Sequence, residues 1–220
     1  MIDGQCHRIW PDELEIRIDA VHMYQDDEKD DKKDSKNGSR SGFMDEKLFK
    51  SRAITIFGNI DDKLARSVTE KLLALAAENN DPITVYISSP GGHVESGDVV
   101  YDMIKFITPE VRVVGTGWVA SAATTIFLAA KKENRYCLPN TRFLVHQPLG
   151  GARGDATDIA IQAEQIVKMR ARINQLIADE TGQSLERVAK DTDRDYWMTV
   201  EEAIDYGIVS KVVRSASEMG

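Results

Sequence analysis

Hydrophobic positions recur with the periods of strands and helices in turn from about Ile54 onward. Three short runs rich in β-branched residues, AITIFG, ITVYIS and VRVVGTG, are typical of buried strands. Residues 61–79, between the first two runs, carry apolar residues at helical spacing, with Asp61 or Asp62 as the N-cap. SGDVVYDMIKFI predicts a second helix that Pro109 ends, and RYCL and RFLVHQ predict further short strands. This alternation favours parallel pairing through crossover helices, which defines an α/β fold.

The longest periodic segment, residues 155–180, predicts a single long helix. Its apolar residues cover more than one side, so the pattern indicates either a helix that partly faces another subunit or a central core helix. Farther along, Ser184 predicts the N-cap of LERVAKD, and Thr199 with Glu202 predicts a capping box for VEEAIDYG. Gly207 ends that helix, and IVSKVV predicts the last strand.

The first 50 residues follow a different pattern. LEIRIDA (Leu14–Ala20) alternates apolar and charged residues, which predicts a half-buried strand. The stretch from Asp26 to Gly42 contains no apolar residue, so burial cannot offset the entropy of ordering it, and we expect a mobile loop at 26–42. The predicted organisation is an N-terminal segment at 1–50, a main domain at 51–215 and a tail at 216–220.

Composition narrows the classes of function. The chain has 220 residues and a formal net charge of -8, which argues against a nucleic-acid-binding surface. No apolar stretch approaches the roughly 20 residues of a membrane span, and the N-terminus lacks an apolar signal core. Two cysteines, too few for a disulfide framework, predict a reducing, cytoplasmic setting. Neither cysteine stands at a zinc-like interval from a histidine and no P-loop occurs, so we expect no metal and no cofactor.

Ser121 is the first residue with candidate chemistry. It follows a strand and a Gly-x-Gly turn and precedes a run of helix-forming residues. It therefore fits a helix N-cap, which is the ordinary role of a serine there. The same position also fits a nucleophile, because unpaired N–H groups at a helix N-terminus stabilise an oxyanion. The sequence around it, WVASAA, lacks the flanking glycines of a Gly-x-Ser-x-Gly elbow.

A nucleophilic serine needs a base and a residue that orients the base. His146 stands at the end of an apolar strand, just before Gln147 and Pro148, so it lies at the rim of the predicted sheet. Acidic candidates cluster in KDTDRDYWM, at Asp191, Asp193 and Asp195, although such clusters are usually solvated loops. The glycines of SSPGGHV allow close backbone approach to a ligand, or they simply form a tight turn.

Four segments carry a resemblance to a known family. YISSPGGHVESGDVVYDMIKFI, GTGWVASAATTIFLAA, RYCLPNTRFLVHQPLGG and TGQSLERVAKDTDRDYWMTVEEAIDYGIVSKVV follow one another across roughly residues 52–213. Together they resemble the proteolytic subunit of Clp protease (ClpP). The resemblance implies a serine endopeptidase with a crotonase-like α/β fold of repeated β-β-α units and a protruding handle helix. It also implies a homo-oligomer of two stacked heptameric rings that hydrolyses unfolded proteins, supplied by a hexameric AAA+ unfoldase such as ClpX or ClpA.

The resemblance also assigns site residues by position. Ser121 matches the nucleophile and His146 the general base. Asp195, the last aspartate of DTDRD, matches the acid that orients the base. The backbone N–H groups of Gly92 and Ala122 match the oxyanion donors. The segment at 155–180 matches the handle helix, which interdigitates between the two rings.

Two features depart from the family pattern. The family usually has methionine and then glycine after the nucleophile, whereas this chain has Ala122 and Ala123, so we expect altered side-chain specificity. The N-terminal segment is longer and more charged, which predicts altered gating or a different partner. Two alternative functions stay open: a ring subunit that is silent or depends on a partner, and a crotonase-type acyl-CoA enzyme, which needs no Ser-His-Asp set.

Overall fold

The computed structural model describes residues 38–219, with side chains described from residue 42. The predicted strand at 14–20 and residues 26–37 of the predicted mobile loop lie outside the described residues. Residues 38–42, expected to end that loop, instead begin a helix that runs to Lys50. The residues after Gly42 favour the helix, because Lys47 and Lys50 lie in its last turn and Lys50 pairs with Glu46 at 2.5 Å.

Helices and strands alternate along the described chain, as the hydrophobic pattern predicts. The elements are α1 (Gly38–Lys50), β1 (Ala53–Phe57), α2 (Asp62–Glu78), β2 (Ile83–Ser89), α3 (Val94–Phe106), β3 (Val111–Ala120), α4 (Ala122–Leu128), β4 (Arg135–Cys137), β5 (Arg142–Val145), α5 (Ala156–Thr181), α6 (Leu185–Asp191), β6 (Tyr196–Met198), α7 (Val200–Tyr206) and β7 (Lys211–Val212).

The sheet is parallel through β1, β2, β3, β4 and β7, in that order, which confirms the predicted α/β class. β3 changes partner along its length: residues 113–115 pair with β4, and residues 118–120 pair with β5. If the two halves of β3 are counted as separate strands, the order β-β-α occurs twice, ending at α4 and at α5. β5 also pairs antiparallel with β6, a pairing that the sequence pattern did not predict.

Side-chain caps mark the starts of α2, α6 and α7. Asp61, rather than Asp62, caps α2 and accepts a hydrogen bond from the Leu64 N–H at 2.8 Å. Ser184 caps α6 in the same way. Thr199 and Glu202 form the predicted capping box of α7. These predictions are confirmed because a cap depends on residues three apart in sequence, whatever the rest of the fold does.

The long helix α5 has two different halves. In its second half Ile173, Ile177 and Ala178 are buried against the core. In its first half Ile159, Ile161 and Val167 are 43%, 50% and 66% exposed. The helix therefore is not a core helix along its whole length. None of the described helices is long and apolar enough to cross a membrane.

A buried ion pair joins α5 to the centre of the fold. Arg135 is almost fully buried, and its Nη2 pairs with the Glu180 carboxylate and donates to Leu128 O. Its Nε donates to Ala130 O and its Nη1 to Glu180 O. Tyr101 and Lys105 from α3 donate to Glu180 Oε1 at 2.8 and 2.6 Å. Every charged or polar atom of the pair thus has a partner, which a buried ion pair requires.

The charge state of Glu180 predicts how stability depends on pH. Burial raises its pKa, but the hydrogen bonds from Lys105 and Tyr101 outweigh this and leave the pKa below the ordinary 4.5. A carboxyl group whose pKa falls on folding stabilises the fold above its unfolded pKa, and this contribution is lost as the pH falls through the folded pKa. We expect Glu180→Gln to lower the free energy of unfolding by about 3 kcal/mol at pH 7, and by progressively less below pH 4.5.

Urea unfolding at pH 7 and in steps below pH 4.5 measures this difference. Glu186→Gln, at an exposed position of α6, is the matched control and should leave the free energy of unfolding unchanged at pH 7 and at each lower pH. Equal unfolding free energies for Glu180→Gln and the parent at pH 7 would contradict the prediction.

Candidate active site

Ser121 lies at the junction of β3 and α4 in a conformation that a cap does not need. Its φ of 56° and ψ of -124° fall in a region that non-glycine residues rarely adopt, at a cost of about 1–3 kcal/mol. The backbone is held there by the hydrogen bond from Ser121 N–H to Leu144 O at 3.0 Å. Thr124 Oγ1 adds bonds to the carbonyls of Val119 and Leu144. Although Ser121 occupies the N-cap position, its side chain makes no capping bond.

The Ser121 hydroxyl is directed at His146 instead. Ser121 Oγ lies 2.8 Å from His146 Nε2, and His146 Nδ1 lies 2.9 Å from Asp195 Oδ1. The carboxylate only accepts, so Nδ1 carries the proton of the neutral imidazole and Nε2 accepts the proton of Oγ. His146 is 17% exposed and Asp195 is 65% exposed, so the imidazole is mostly shielded from solvent whereas the acid faces it.

The β5–β6 register explains why Asp195, among the three aspartates, reaches His146. The two strands are antiparallel, and Val145 pairs with Tyr196. The next residues outward on the two strands are His146 and Asp195, which are therefore neighbours. The other two aspartates have different partners: Asp193 Oδ1 accepts from Arg170 at 3.0 Å, and Asp191 lies 3.5 Å from Arg187.

Gln147 holds the acidic loop against the strand that carries the histidine. Its backbone N–H donates to Thr192 O at 2.6 Å, and its side-chain amide donates to Asp193 O at 2.7 Å. Both bonds run from the residue after His146 to the segment just before Asp195. The sequence pattern did not reveal this role, because the two segments are more than 40 residues apart and β6 has only three residues.

The Gly91–Gly92 turn packs directly on the serine junction. Gly91 has φ of 96° and Gly92 of 150°. A Cβ added at Gly91 would lie 2.6 Å from Ser121 Cβ, and one added at Gly92 would lie 2.2 Å from Ile60 O, so both positions need glycine. Within the described residues, the N–H groups of Gly92 and Ala122 donate to no other protein atom. Two unpaired donors therefore belong to the two segments that meet at Ser121.

A small cavity opens beside Ser121 and His146. Its walls are mainly apolar and include no carboxylate, lysine or arginine. The second half of α5 forms one wall, a contribution that the sequence pattern alone did not predict. The lining side chains include Val94, Ala122, Thr125, Val145, Ile173 and Ile177. Throughout the described part of the chain, this site included, no three His, Cys, Asp or Glu side chains form a group that could hold a metal ion.

Comparison with known proteins places this geometry in context. A family model described as Clp protease matches residues 36–216. The "ATP-dependent Clp protease proteolytic subunit 3" of Rhizobium etli is 58% identical over 172 residues, which are 78% of this chain and 89% of the relative. The "ATP-dependent Clp protease proteolytic subunit 2" of Gluconobacter oxydans is 56% identical over 178 residues, 80% of each chain. The solved structure "ClpP1 from Listeria monocytogenes" is 52% identical, with a TM-score of 0.74 over 80% of this chain and 99% of its own.

Proposed function

The chain belongs to the Clp protease family of serine-type peptidases, and from this premise we propose that Ser121, His146 and Asp195 form its catalytic triad. The observation that carries the proposal is the continuous hydrogen-bond path from Ser121 Oγ through the imidazole to the Asp195 carboxylate. Ser121 makes no capping hydrogen bond, its backbone is strained, and its hydroxyl faces a base. This combination is the one expected of a nucleophile.

The geometry supports the usual sequence of acyl transfer. His146 Nε2 takes the proton of Ser121 Oγ as Oγ bonds to the peptide carbonyl carbon, and the carbonyl oxygen becomes an oxyanion. Asp195 keeps the Nδ1 proton in place and stabilises the imidazolium. His146 then donates its Nε2 proton to the departing amine nitrogen, which leaves an acyl-serine. Water, activated by the same imidazole, attacks the ester and releases the acid and the free serine.

The backbone N–H groups of Gly92 and Ala122 act as the oxyanion donors in this proposal. Both N–H groups lack another acceptor within residues 42–219, and their segments are in contact at Ser121. Positioned donors of this kind stabilise charge that exists only in the transition state. Ala122 also lines the adjacent cavity. The Ala122 side chain is smaller than the methionine usual in the family, so it leaves more room in this cavity. The added room supports a changed preference for substrate side chains.

We further propose that the peptidase works as a homo-oligomer of two stacked heptameric rings fed by a hexameric AAA+ unfoldase such as ClpX or ClpA. The family implies Clp ATPases and ring oligomers. The exposed apolar residues of the first half of α5 support its assignment as the handle helix between rings. The sequence contains no P-loop, so ATP hydrolysis falls to the partner. The low cysteine count supports a cytoplasmic setting.

Labelling with a serine-reactive fluorophosphonate tests the triad, and native mass spectrometry of the same sample counts the subunits. We expect one adduct per chain in the parent protein and none in Ser121→Ala. Ser217→Ala, which removes a serine in the C-terminal 3-10 turn, should keep the adduct. A parent protein that takes no adduct would contradict the assembled triad and favour a silent or partner-dependent subunit. A mass other than that of fourteen subunits would contradict the double heptamer.

A further inference from the structure

His93 directly follows the Gly91–Gly92 turn, and its imidazole joins the first turns of α2 and α3. Nδ1 lies 2.8 Å from Ser96 Oγ in α3 and 3.3 Å from Asp62 Oδ1 in α2. Nε2 lies 3.0 Å from Glu95 Oε2. The His93 backbone N–H donates to Ile60 O at 2.8 Å. The residue after Gly92 is thus held by its main chain and by both ring nitrogens.

Donors and acceptors in this cluster match with a charged imidazole, although the His93, Asp62 and Glu95 side chains are 54%, 88% and 59% exposed to water. Ser96 Oγ donates its only proton to Asp62 Oδ1 at 2.5 Å, so the Nδ1 of His93 must donate to Ser96 Oγ. Nε2 faces a carboxylate oxygen of Glu95, which only accepts, so Nε2 must donate as well. A neutral imidazole has one N–H and an imidazolium has two. All of these contacts are therefore satisfied together only when His93 is protonated.

Two carboxylates from two different elements face the ring. Asp62 belongs to α2 and Glu95 to α3, and these are the charged groups that contact the imidazole. The hydrogen bond from Ser96 and, after it, the one from His93 lower the pKa of Asp62. Asp62 therefore faces the imidazole as a carboxylate whose pKa is lowered.

We propose that His93 is a positioning residue for the oxyanion-binding turn, and that its imidazole holds Gly92 in place through Asp62, Ser96 and Glu95. The inference rests on the proposed role of Gly92 as an oxyanion donor. One Cα separates the Gly92 N–H from the peptide unit that joins Gly92 to His93, so a displaced His93 moves that donor. Without the imidazole these side-chain contacts are lost, and the turn loosens. The hydrogen bond from the Gly92 N–H to the oxyanion is then weaker, although substrate still binds.

Steady-state hydrolysis of a short peptide, with kcat and KM measured separately, tests the proposal. In His93→Ala kcat should lie about tenfold below the parent value with KM unchanged, less than the loss of a whole oxyanion donor. Ser96→Ala, which removes the hydroxyl in contact with Nδ1, should lower kcat in the same way. His93→Gln keeps side-chain N–H donors and should restore part of kcat.

The opposite results are equally clear. A kcat in His93→Ala equal to that of the parent protein would overturn the proposal, as would a raised KM with kcat unchanged. If the parent protein neither hydrolyses peptide nor takes the fluorophosphonate, the proposed function fails, and amide hydrogen exchange tests His93 separately. The backbone N–H at position 93, which donates to Ile60 O, should exchange faster in His93→Ala than in the parent protein. Equal exchange rates would overturn the proposal in that case too.

Discussion

Asp195→Asn is expected to reduce kcat for peptide hydrolysis by about 10³–10⁴-fold while the protein stays folded. The carboxylate accepts the Nδ1 proton at 2.9 Å and so keeps Nε2 free to take the proton of Ser121. An asparagine amide group donates in that place, which favours the tautomer with its proton on Nε2. That tautomer cannot act as a base toward the serine hydroxyl. The Asp195 side chain is largely exposed, so its replacement leaves no unpaired charge in the core.

Asp193→Asn is the matched control, because it removes a carboxylate two residues earlier on the same loop. Its partner is Arg170 on α5, and the pair is partly exposed, so we expect kcat to change by less than about tenfold. Peptide hydrolysis of both variants at one pH, with circular dichroism to check the fold, makes the measurement. If Asp193→Asn lost as much activity as Asp195→Asn, the assignment of the acid would be wrong.

Gly92→Ala is expected to lower kcat by at least about 10²-fold. The new Cβ would lie 2.2 Å from Ile60 O, and the backbone φ of 150° is strained for any residue with a side chain. The turn must therefore move, although the hydrogen bonds from Ile60 N–H to Gly91 O and from His93 N–H to Ile60 O resist that movement. A displaced turn takes the Gly92 N–H away from the oxyanion. The parallel sheet does not depend on this turn, so the fold should survive.

Gly58→Ala separates steric displacement from backbone strain. Gly58 also has a positive φ, of 78°, but a Cβ there meets nothing within 4 Å. We expect this control to lose about 1 kcal/mol of stability and to keep full activity. The rate of fluorophosphonate labelling should follow kcat in both variants. Unchanged labelling in Gly92→Ala would show that Gly92 does not supply a donor.

The sequence predicted those parts of the fold that local chemistry decides. The caps at Asp61, Ser184 and Thr199 follow from short-range hydrogen bonds, and the strands of the parallel sheet follow from apolar runs. The pattern failed at α1 because glycines and serines at its start are typical of loops. It failed at β6 because a strand of three residues has no measurable period, and its partner lies some 50 residues away in sequence.

The candidate site was harder to predict than the fold. From its own surroundings Ser121 fitted an ordinary cap, and only the three-dimensional contact with His146 distinguishes the two roles. The family resemblance singled out Asp195 among its neighbours, because a charge cluster in the sequence does not show which carboxylate contacts the histidine. The contacts of His93 and Gln147 depend on segments that meet only after folding, so no spacing in the sequence could have indicated them.

Because β6 pairs with β5 alone among the described strands, the active site can open locally with a free energy lower than that of unfolding the whole protein. Three residue pairs hold β6 to β5, and the outermost of them adjoins both His146 and Asp195. Opening of that last pair together with the two Gln147 hydrogen bonds separates acid from base while the parallel sheet stays intact, so we expect local opening rather than global unfolding to set the fraction of competent enzyme. Amide hydrogen exchange at Tyr196 and Gln147 should therefore be faster than in β2. On warming, the protein should therefore lose catalytic activity at a lower temperature than the one at which the parallel sheet unfolds.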